Sequence, residues 1–446
     1  MYEENIVAVS TPMLPSGVAV IRISGDSPLD IANKLFSSKT NVYDFEPYKL
    51  YVGTINATTF KDFGMCVYFK GPKSYTGEDM VEFHCHGGIA IVKGILERIL
   101  TLGARLAERG EFTKRAFLNG KLSLSSAEGL ISMINSESLA EVKSGYYLYK
   151  ERLFNKIKKA QDNLTFTLAS IDANIDYPEE GIEEAKLDQI SQELTSVRTD
   201  LYNLASTFSL GEKTKTGVKV AICGKPNAGK SSLLNSILNC EKAIVTSVEG
   251  TTRDIVEGSR EINGVKFDFM DTAGIRESDD LVEKIGIERS LKAIEVADVV
   301  LFVLDGSSEF NELDEEIKQK VSSANLITII NKADLGQSIF TQVDHDLVIS
   351  AKTGQGVDEL VDLIYVKAGL DKLNLDGDYL VEKRHLTAIQ NAISDLDKAI
   401  SAIYVMPLDI ITVDIRSALI NLGLISGETA DENVINEIFS KFCVGK

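Results

Sequence analysis

The sequence predicts a protein of α/β and α type, in which a doubly wound α/β domain is inserted into a helical domain behind an N-terminal mixed α/β domain. Three observations predict this fold class. Strand and helix patterns alternate from Val218 to about Lys367, as in a doubly wound parallel sheet. Helical periodicity flanks that region on both sides, which indicates an insertion. Short apolar runs separated by glycine, proline and serine fill residues 1–118, which favours mixed strand and helix there.

The composition limits the class of protein. The chain has 446 residues, which exceeds what one hydrophobic core usually supports, so several domains are expected. A net charge of −19 excludes nucleic-acid binding by bulk charge, and any RNA contact needs a local basic patch or a partner. The longest purely apolar run, Val299–Leu304, is far shorter than the roughly 20 residues of a membrane span. Five scattered cysteines without a CxxC pattern favour a reducing, cytoplasmic location.

The N-terminal domain, residues 1–118, contains two runs typical of strands and one typical of a helix. Val18–Ile23 and Gly64–Phe69 are apolar and rich in β-formers, and glycine, proline and serine clusters bound them. Ile89–Thr101 carries apolar residues at helical spacing.

The helical domain is predicted in two pieces, residues 119–214 and 373–446, around the insertion at 215–372. In the second piece, apolar residues step by three and four positions, which predicts an amphipathic helix with one buried face. Thr429 and Glu432 have the spacing of a capping box and predict the start of a final helix. The apolar stripe consists of Leu386, Ile389, Ile393, Leu396, Ile400 and Ile403.

A phosphate-binding loop opens the inserted domain. Gly224–Ser231 matches the pattern G-x-x-x-x-G-K-[ST], follows the apolar strand Val218–Cys223 and precedes a helical run, which is the context that this motif requires. Lys230 can neutralise β- and γ-phosphate charge, and the Ser231 hydroxyl can bind Mg²⁺. The nucleotide-binding residues predicted here are Asn227, Ala228, Gly229, Lys230, Ser231 and Ser232.

Four further segments follow in the order that a Ras-like GTPase needs. Thr252 can supply a second Mg²⁺ ligand, and Asp271 can hold the metal through water. The Asp334 carboxylate can accept from guanine N1–H and N2–H together, which adenine cannot offer, and so selects GTP. The Gly274 N–H can meet the γ-phosphate. The predicted nucleotide-binding residues of these segments are Gly250, Thr251, Thr252, Asp271, Thr272, Ala273, Gly274, Asn331, Lys332, Ala333, Asp334, Ser350, Ala351 and Lys352.

One expected catalytic group is missing from the sequence. Many GTPases place a water-orienting Gln directly after the DxxG segment, where this chain has Ile275. Hydrolysis then needs another carboxylate or amide, together with a positive charge. The nearby candidates are Arg253, Arg276, Glu277 and Glu283, and their spacing alone does not choose among them.

Short motifs also lie outside the inserted domain, at Gly17–Gly25, Thr76–Asp79, His86–Gly88, Gly110–Phe112, Arg115–Asn119 and Cys443–Lys446. They occur together with the P-loop spelling Gly-Lys-Pro-Asn-Ala-Gly-Lys-Ser and the order of the three domains. With these features, the chain resembles the MnmE (TrmE) family of tRNA modification GTPases over its whole length.

The resemblance implies a reaction and its partners. Members of this family act with an FAD-dependent, MnmG-like subunit, in a heterotetramer, on carbon 5 of the wobble uridine (U34) of certain tRNAs. They install an aminomethyl or carboxymethylaminomethyl group whose one-carbon unit comes from 5-formyl- or methylene-tetrahydrofolate. The N-terminal domain then resembles a folate-binding and homodimerisation domain, with the pocket lined by Arg22, Glu82, Lys121 and Lys446. Without the family, Arg22 and Glu82 could equally form a surface ion pair.

The resemblance also implies how the catalytic gap is filled. GTPases of this family dimerise through their G domains with K⁺ at the interface, and K⁺ can supply the charge of an arginine finger. Glu283 matches the carboxylate that positions water. Asn227 could instead cap its loop, and Glu283 could be a solvated helix residue. The residues that match the potassium loop or its ligands are Asn227, Thr246, Ser247, Val248, Glu249 and Thr251.

Three features of the sequence each have two possible interpretations. Cys443 lies beside lysines and matches a family cysteine proposed to act in the modification, but it could be a packed small residue. His84 and His86 alternate as on one strand face, yet no second cluster completes a zinc shell, so a pocket wall is favoured. Seven basic residues against three acidic ones between Lys93 and Lys121 could contact RNA or form an exposed helix and loop.

Two other functions fit parts of the sequence. A GTP-switched binding or assembly factor without modification chemistry would use the same nucleotide motifs but not the N-terminal domain or the Cys-Val-Gly-Lys end. A folate enzyme that is only regulated by GTP would be active without the flavoprotein or tRNA.

Overall fold

The computed structural model describes residues 4–176, 184–239, 258–271, 293–321, 325–336 and 343–445. The chain forms two compact units. The helical residues are divided between these units, and the predicted domain boundaries at 118, 214 and 372 stay predictions. The first unit comprises Met1–Ile131, Leu148–Val197 and Ser394–Lys446, and the second comprises Ser132–Tyr147 and Arg198–Ile393.

The N-terminal residues of the first unit form a mixed sheet in the strand order β3-β4-β5-β6-β2-β1-β7. Its strand pairs are antiparallel except for β1 and β7, which run parallel. The elements are β1 (Ile6–Val9), β2 (Ala19–Gly25), α1 (Pro28–Leu35), β3 (Phe36–Ser38), β4 (Leu50–Asn56), β5 (Lys61–Phe69), β6 (Asp79–Cys85), α2 (Ile89–Thr101), β7 (Arg105–Leu106) and α3 (Glu111–Leu118). The mixed α/β prediction is confirmed.

Apolar residues alternate along the strands, and they place one face of the sheet against the helices. Ile21 and Ile23 of β2 and Phe83 of β6 are buried in one core with residues of α1 and α2, such as Ile31 and Ile95. Because successive strand side chains point to opposite faces, the residues between them lie on the other face of the sheet.

The inserted domain has a second sheet in the order β13-β12-β11-β8-β10-β9. All of its pairs are parallel except that of β9 with β10. The elements are β8 (Val218–Cys223), α9 (Lys230–Asn239), β9 (Gly258–Ile262), β10 (Val265–Asp271), β11 (Val299–Asp305), α10 (Glu312–Val321), β12 (Leu326–Asn331), β13 (Leu347–Val348) and α11 (Val357–Lys367).

Helices cover both faces of this parallel sheet. Leu233 of α9 and Leu360 of α11 share one core, whereas Ile317 of α10 lies in another. The apolar run Val299–Leu304 is buried along its whole length, as expected of a central strand covered on both sides. The prediction of a doubly wound domain is therefore confirmed.

The remaining helices are α4 (Leu124–Asn135), α5 (Leu139–Tyr149), α6 (Arg152–Asp176), α7 (Glu184–Ser206), α8 (Phe208–Thr216), α12 (Lys383–Ala402), α13 (Leu408–Ser426) and α14 (Glu432–Ser440). The predicted stripe of α12 has the right period. Ile389 and Leu396, and Ile403 just after the helix, are buried, whereas the other predicted residues, Leu386, Ile393 and Ile400, are half-buried. The buried face also includes Ala392 and Ala399, which the prediction left out.

The predicted start of the last helix is wrong. The N-cap of α14 is Asp431, whose side chain accepts from the Val434 N–H at 2.9 Å. The Thr429 hydroxyl instead donates to the Ile420 carbonyl oxygen at 2.7 Å. The Thr429 side chain is thus bound to the helix that contains Ile420, α13, and does not cap α14. Among the described residues, no helix is both long enough and apolar enough to cross a bilayer.

Candidate active site

The P-loop joins the carboxyl end of β8 to the amino end of α9, at the edge where nucleotides bind in doubly wound sheets. Gly229 has φ +92°, and a Cβ there would overlap the side-chain amide of Asn331. Gly224 has φ +146°, and a Cβ there would overlap the Val303 carbonyl oxygen. Both glycines of the motif are therefore required by the packing of the loop against β11 and β12.

Lys230 is held inside its own loop. The residue is only 8% exposed, and Nζ donates to the carbonyl oxygens of Gly224 and Lys225 at 3.0 Å each. Burial lowers the pKa of this ammonium, although the nearby Asp271 and Cys223 oppose the shift. A phosphate group would supply the negative charge that this buried ammonium lacks.

The predicted magnesium ligands lie together. Ser231, at the start of α9, donates from Oγ to Oδ2 of Asp271 at 3.1 Å, and Asp271 ends β10. The other carboxylate oxygen of Asp271 is buried and has no hydrogen-bond partner among the described residues. An unpartnered buried carboxylate oxygen beside a hydroxyl matches the hard oxygen donors that Mg²⁺ prefers, so these residues fit the ion.

The guanine motif is tied to the P-loop through Asn331. This side chain is 2% exposed, donates to the Ala228 carbonyl oxygen at 3.0 Å and accepts from the Ala351 N–H at 2.9 Å. It therefore links three of the predicted nucleotide segments in one hydrogen-bonded unit. Lys332 follows with φ +65°, and its ammonium lies 2.7 Å from Oδ2 of Asp305 at the end of β11.

Asp334 is oriented by the last of these segments. Its Oδ1 accepts from the Ser350 hydroxyl at 2.7 Å. This hydrogen bond is the main reason why the pKa of Asp334 lies below its ordinary value, and the nearby Lys352 and Lys332 charges add to it. The carboxylate is thus ionised and acceptor-only, as recognition of the two guanine donors requires.

The other predicted nucleotide residues divide into two groups. Asn227 is an exposed residue of the P-loop with φ +62°, and Ser232 is exposed in the first turn of α9. The second group lies outside the described residues, so its roles stay predictions. It consists of Thr246, Ser247, Val248, Glu249, Gly250, Thr251, Thr252, Thr272, Ala273 and Gly274. The catalytic candidates Arg253, Arg276 and Glu283, and Lys446 of the predicted folate pocket, also lie outside the described residues.

A second candidate site lies on the N-terminal sheet, at the paired residues Arg22 and Glu82 of β2 and β6. Arg22 Nε is 2.7 Å from Glu82 Oε1, and the guanidinium lies 5.3 Å and 5.7 Å from the ring centres of Tyr75 and Phe112. Burial raises the pKa of Glu82, but the nearby His84 side chain and the charge and hydrogen bond of Arg22 outweigh it and leave the pKa lowered.

The other residues predicted for this pocket lie around the same sheet. Lys121 donates to the Pro72 carbonyl oxygen at 2.8 Å, in the loop between β5 and β6 that also carries Tyr75. Cys443 is exposed. The residues after it pack on the end of β1, because Ser10 Oγ donates to the Gly445 carbonyl oxygen at 3.2 Å. The structure therefore brings the C-terminal end and Lys121 to the domain that holds Arg22 and Glu82.

Some of the basic residues between Lys93 and Lys121 form ion pairs with carboxylates of the same domain. Arg115 is fully buried, with its guanidinium 3.1 Å from Glu78 and 2.9 Å from Glu111. Arg105 lies 2.6 Å from the same Glu111 carboxylate. Two of the seven basic residues are thus committed to internal ion pairs.

The two histidines lie beside carboxylates of the sheet. His86 Nδ1 lies 2.6 Å from Asp62 Oδ1, whereas His84 Nε2 lies 3.6 Å from Glu82 Oε2. No group of three or more His, Cys, Asp or Glu side chains that could hold a metal occurs in the described ranges. The interpretation of these histidines as a pocket wall stays a prediction.

Known proteins match the chain over its full length. The family model for the MnmE helical domain matches residues 124–443, and that for the N-terminus of the GTP-binding protein TrmE matches residues 5–121. The chain belongs to the MnmE family of tRNA modification GTPases. The prediction of a GTPase from five ordered motifs is therefore confirmed.

Individual relatives agree with this assignment. The tRNA modification GTPase MnmE of Acetivibrio thermocellus is 40% identical over 460 residues, covering 100% of both chains. The MnmE proteins of Clostridioides difficile and Fervidobacterium nodosum are 38% and 40% identical, covering 100% of this chain and 99% and 98% of theirs. A solved structure of Era from Aquifex aeolicus is 31% identical over 40% of this chain and 66% of its own, with a TM-score of 0.29 that adds nothing to the assignment.

Sequence reasoning missed two residues that lie beside Arg22. Tyr75 and Phe112 flank Arg22 and were not among the predicted pocket residues. Both lie in or beside motifs on which the family resemblance rests, Thr76–Asp79 and Gly110–Phe112. Aromatic residues adjoining such motifs were the signal that could have found them.

Proposed function

We propose that this GTPase acts in the cytoplasm as a homodimer that, with an FAD-dependent MnmG-like subunit, modifies carbon 5 of the wobble uridine of certain tRNAs. The observation that carries the proposal is a guanine-nucleotide site in a chain that matches both the TrmE N-terminus and the MnmE helical domain. The relatives are named tRNA modification GTPases, and the same substrate class is assigned here. The net charge of −19 favours tRNA contact through the partner or a local patch.

The described residues account for nucleotide binding. Lys230 and the loop N–H groups would bind phosphate, Asp334 would select guanine, and Ser231 with Asp271 would hold Mg²⁺. When bound there, Mg²⁺ would supply positive charge to the phosphate oxygens. Ile275 cannot orient water, so Glu283 is proposed for that role, with Arg253 and Arg276 as the alternative protein charges.

We assign the missing positive charge to K⁺ held by Asn227, Thr246, Val248 and Thr251 of each subunit. Asn227 is exposed on the P-loop, where a second G domain can reach it. The test compares GTP turnover in K⁺ and in Na⁺ at matched ionic strength. Asn227→Ala should abolish the difference between the salts, and the exposed control Asn436→Ala should preserve it. Equal wild-type rates in both salts would remove the assignment.

We assign the N-terminal site to 5-formyl- or methylene-tetrahydrofolate. The Glu82 carboxylate can accept from pterin N–H groups, and Arg22 and Lys121 can meet the carboxylates of the glutamate tail. Tyr75 and Phe112 provide apolar surface beside Arg22. Calorimetric titration with 5-formyltetrahydrofolate is the test, and Glu82→Gln should weaken binding while Glu46→Gln, an exposed control, should not. Unchanged affinity in Glu82→Gln would contradict the assignment.

We place the homodimer contact on the uncovered part of the same sheet face. Leu50 and Val52 of β4 and Phe63 of β5 are each at least half exposed. The pairing Val52–Met65–His84 across β4, β5 and β6 puts this apolar patch on the face that carries Glu82 and Arg22. A second copy docked there would cover the patch and border the candidate folate site, which joins dimerisation to the chemistry.

The tRNA reaction is tested by one-carbon transfer. Isotopically labelled folate, GTP, tRNA and this protein should give labelled tRNA only when the flavoprotein is added. A deletion strain should lose the modified wobble nucleosides. Unaltered nucleosides in that strain would instead favour a GTP-switched assembly factor, and labelled product without flavoprotein or tRNA would favour a GTP-regulated folate enzyme.

A further inference from the structure

The second residue of the P-loop, Lys225, forms a buried ion pair with Asp314 of α10. Its Nζ lies 2.5 Å from Oδ2 of Asp314 in α10, and their side chains are 13% and 2% exposed. The same ammonium donates to Asn311 Oδ1 at 3.4 Å. Neither carboxylate nor ammonium belongs to the groups that bind nucleotide.

Asn311 and Asp314, whose side-chain oxygens contact the Lys225 ammonium, are also hydrogen-bonded to each other. The Asn311 N–H donates to Asp314 Oδ2 at 3.1 Å, and the Asp314 N–H donates to Asn311 Oδ1 at 3.3 Å. This reciprocal pair closes the first turn of α10 in the manner of a capping box. Lys225 therefore binds two oxygens whose positions are already fixed by the helix start.

The backbone of Lys225 controls the phosphate-binding groups. Its carbonyl oxygen accepts from Lys230 Nζ at 3.0 Å and from the Ala228 N–H at 3.3 Å. Ala228 in turn is bound through its carbonyl oxygen to Asn331 of the guanine motif. A displacement of residue 225 would thus move the donor that neutralises phosphate and the loop segment that comes after it.

We propose that Lys225 is a positioning residue, whose ion pair with Asp314 holds the P-loop in its nucleotide-binding form before the nucleotide arrives. Removing one partner leaves a buried charge uncompensated, and the loop then adopts other conformations that must be reordered on binding. The pair acts on phosphate binding through the 225 carbonyl and leaves guanine recognition by Asp334 untouched.

The test measures affinities for GTP, GDP and ATP with fluorescent nucleotide analogues. Lys225→Met and Asp314→Asn should each weaken GTP and GDP binding about tenfold, a loss on the order of 1.4 kcal/mol, with the GTP-over-ATP ratio unchanged. Lys225→Arg should restore most of the affinity because it keeps the charge. The double variant should lose little more than either single variant, since both changes remove one interaction.

The matched control is Lys215→Met, which removes an ion pair with Glu382 in the same compact unit. It should leave all three affinities unchanged, and thermal unfolding of each nucleotide-free variant separates lost stability from lost positioning. Wild-type affinity in Lys225→Met, no rescue by Lys225→Arg, or equal losses in the Lys215→Met control would each overturn the proposal. If Lys225→Met does not fold, Asp314→Asn and Lys225→Arg decide the question with the same measurements.

Discussion

At the scale of single residues, buried polar side chains hold the segments of the nucleotide site to one another, and Asn331 and Ser350 are the main examples. Asn331 bonds the P-loop and residue 351 at once, and Ser350 bonds Asp334. Because buried polar groups are costly when unpaired, each of these side chains has one favourable orientation. The site is therefore preorganised for guanine before the base is present.

The Ser350 hydroxyl should set the pH range in which GTP binds. It lowers the pKa of Asp334, and a protonated Asp334 cannot accept from both guanine N–H groups. In Ser350→Ala the pKa of Asp334 should rise, so affinity for GTP should be lost at a higher pH than in the wild type as the solution is acidified. Titrations of GTP affinity from about pH 6 down to about pH 3, a range that includes the ordinary Asp value of about 3.8, measure this. Ser350→Thr, which keeps the hydroxyl, should behave like the wild type, and coincident profiles for Ser350→Ala would refute the expectation.

Cys443 should react with an alkylating reagent much faster than the buried cysteines do. Cys443 is exposed, whereas Cys66, Cys85 and Cys223 are buried. Burial raises the pKa of all three buried thiols, that of Cys85 to about 11 and that of Cys223 to about 12. Brief alkylation of the folded protein at about pH 8 should modify Cys443 and spare these three, as read by peptide mass spectrometry. The unfolded protein should be modified at all five cysteines of the sequence, and rapid labelling of Cys85 in the folded protein would contradict this account.

At the scale of elements, α3 is attached to the N-terminal sheet by charge as well as by apolar packing. Glu111 in its first turn accepts from Arg105 of β7 and from Arg115 one turn later. Burial alone would raise the pKa of Glu111, but the hydrogen bonds from Arg105, the Glu108 N–H and Arg115 outweigh it and lower the pKa to about 2. The carboxylate is thus most stable when ionised in the folded protein.

Glu111→Gln should reduce stability at neutral pH and flatten its acid dependence. The folded-state pKa lies below the ordinary value of about 4.5, so the contribution is present above that pH and is lost as pH falls towards 2. A shift of this size corresponds to at most on the order of 3 kcal/mol. Urea unfolding at about pH 7 and about pH 3 measures the effect. Glu108→Gln, an exposed neighbour, is the control, and equal losses in the two variants would disprove the assignment.

The elements differ in how far the sequence predicts them. The helix predicted at Ile89–Thr101 is found with the same bounds, because its apolar spacing is a strong local signal. Helices α5 and α6 both lie in the piece 119–214 that is predicted to be helical, but Glu151 adopts φ +61° between them. A non-glycine residue in that conformation is stabilised by contacts, such as that of its carboxylate with Ser126, which periodicity does not reveal.

In the candidate site, too, the sequence predicts the residues of local motifs but not the partners that are distant along the chain. The phosphate and guanine residues were predicted individually, because each motif carries its chemistry within a few residues. The partners of Arg115 and Lys225 were not, since Glu78 lies 37 residues from Arg115 and the strands β9, β10 and β11 separate Lys225 from Asp314 along the chain. Ion pairs across such separations depend on the tertiary fold, which no local pattern encodes.

At the scale of the whole molecule, the proposed homodimer gives one direct test. Phe63 is 65% exposed in the patch on β4 and β5, and a glutamate there would bring an unpaired charge into the contact. Phe63→Glu should shift the protein from dimer towards monomer by at least about tenfold in dissociation constant, measured by sedimentation equilibrium. Leu118→Glu, also exposed on the N-terminal domain, should leave the dimer intact. A dimer of unchanged strength in Phe63→Glu would place the contact elsewhere.

The two carbonyl groups that hold Lys230 also bear on the steps after hydrolysis. When the product leaves, the ammonium can turn back to Gly224 and Lys225 at ordinary hydrogen-bond length. The ammonium then keeps two hydrogen-bond acceptors in the empty pocket. Loss of the guanine nucleotide therefore costs less free energy than it would if this buried cation had no acceptor.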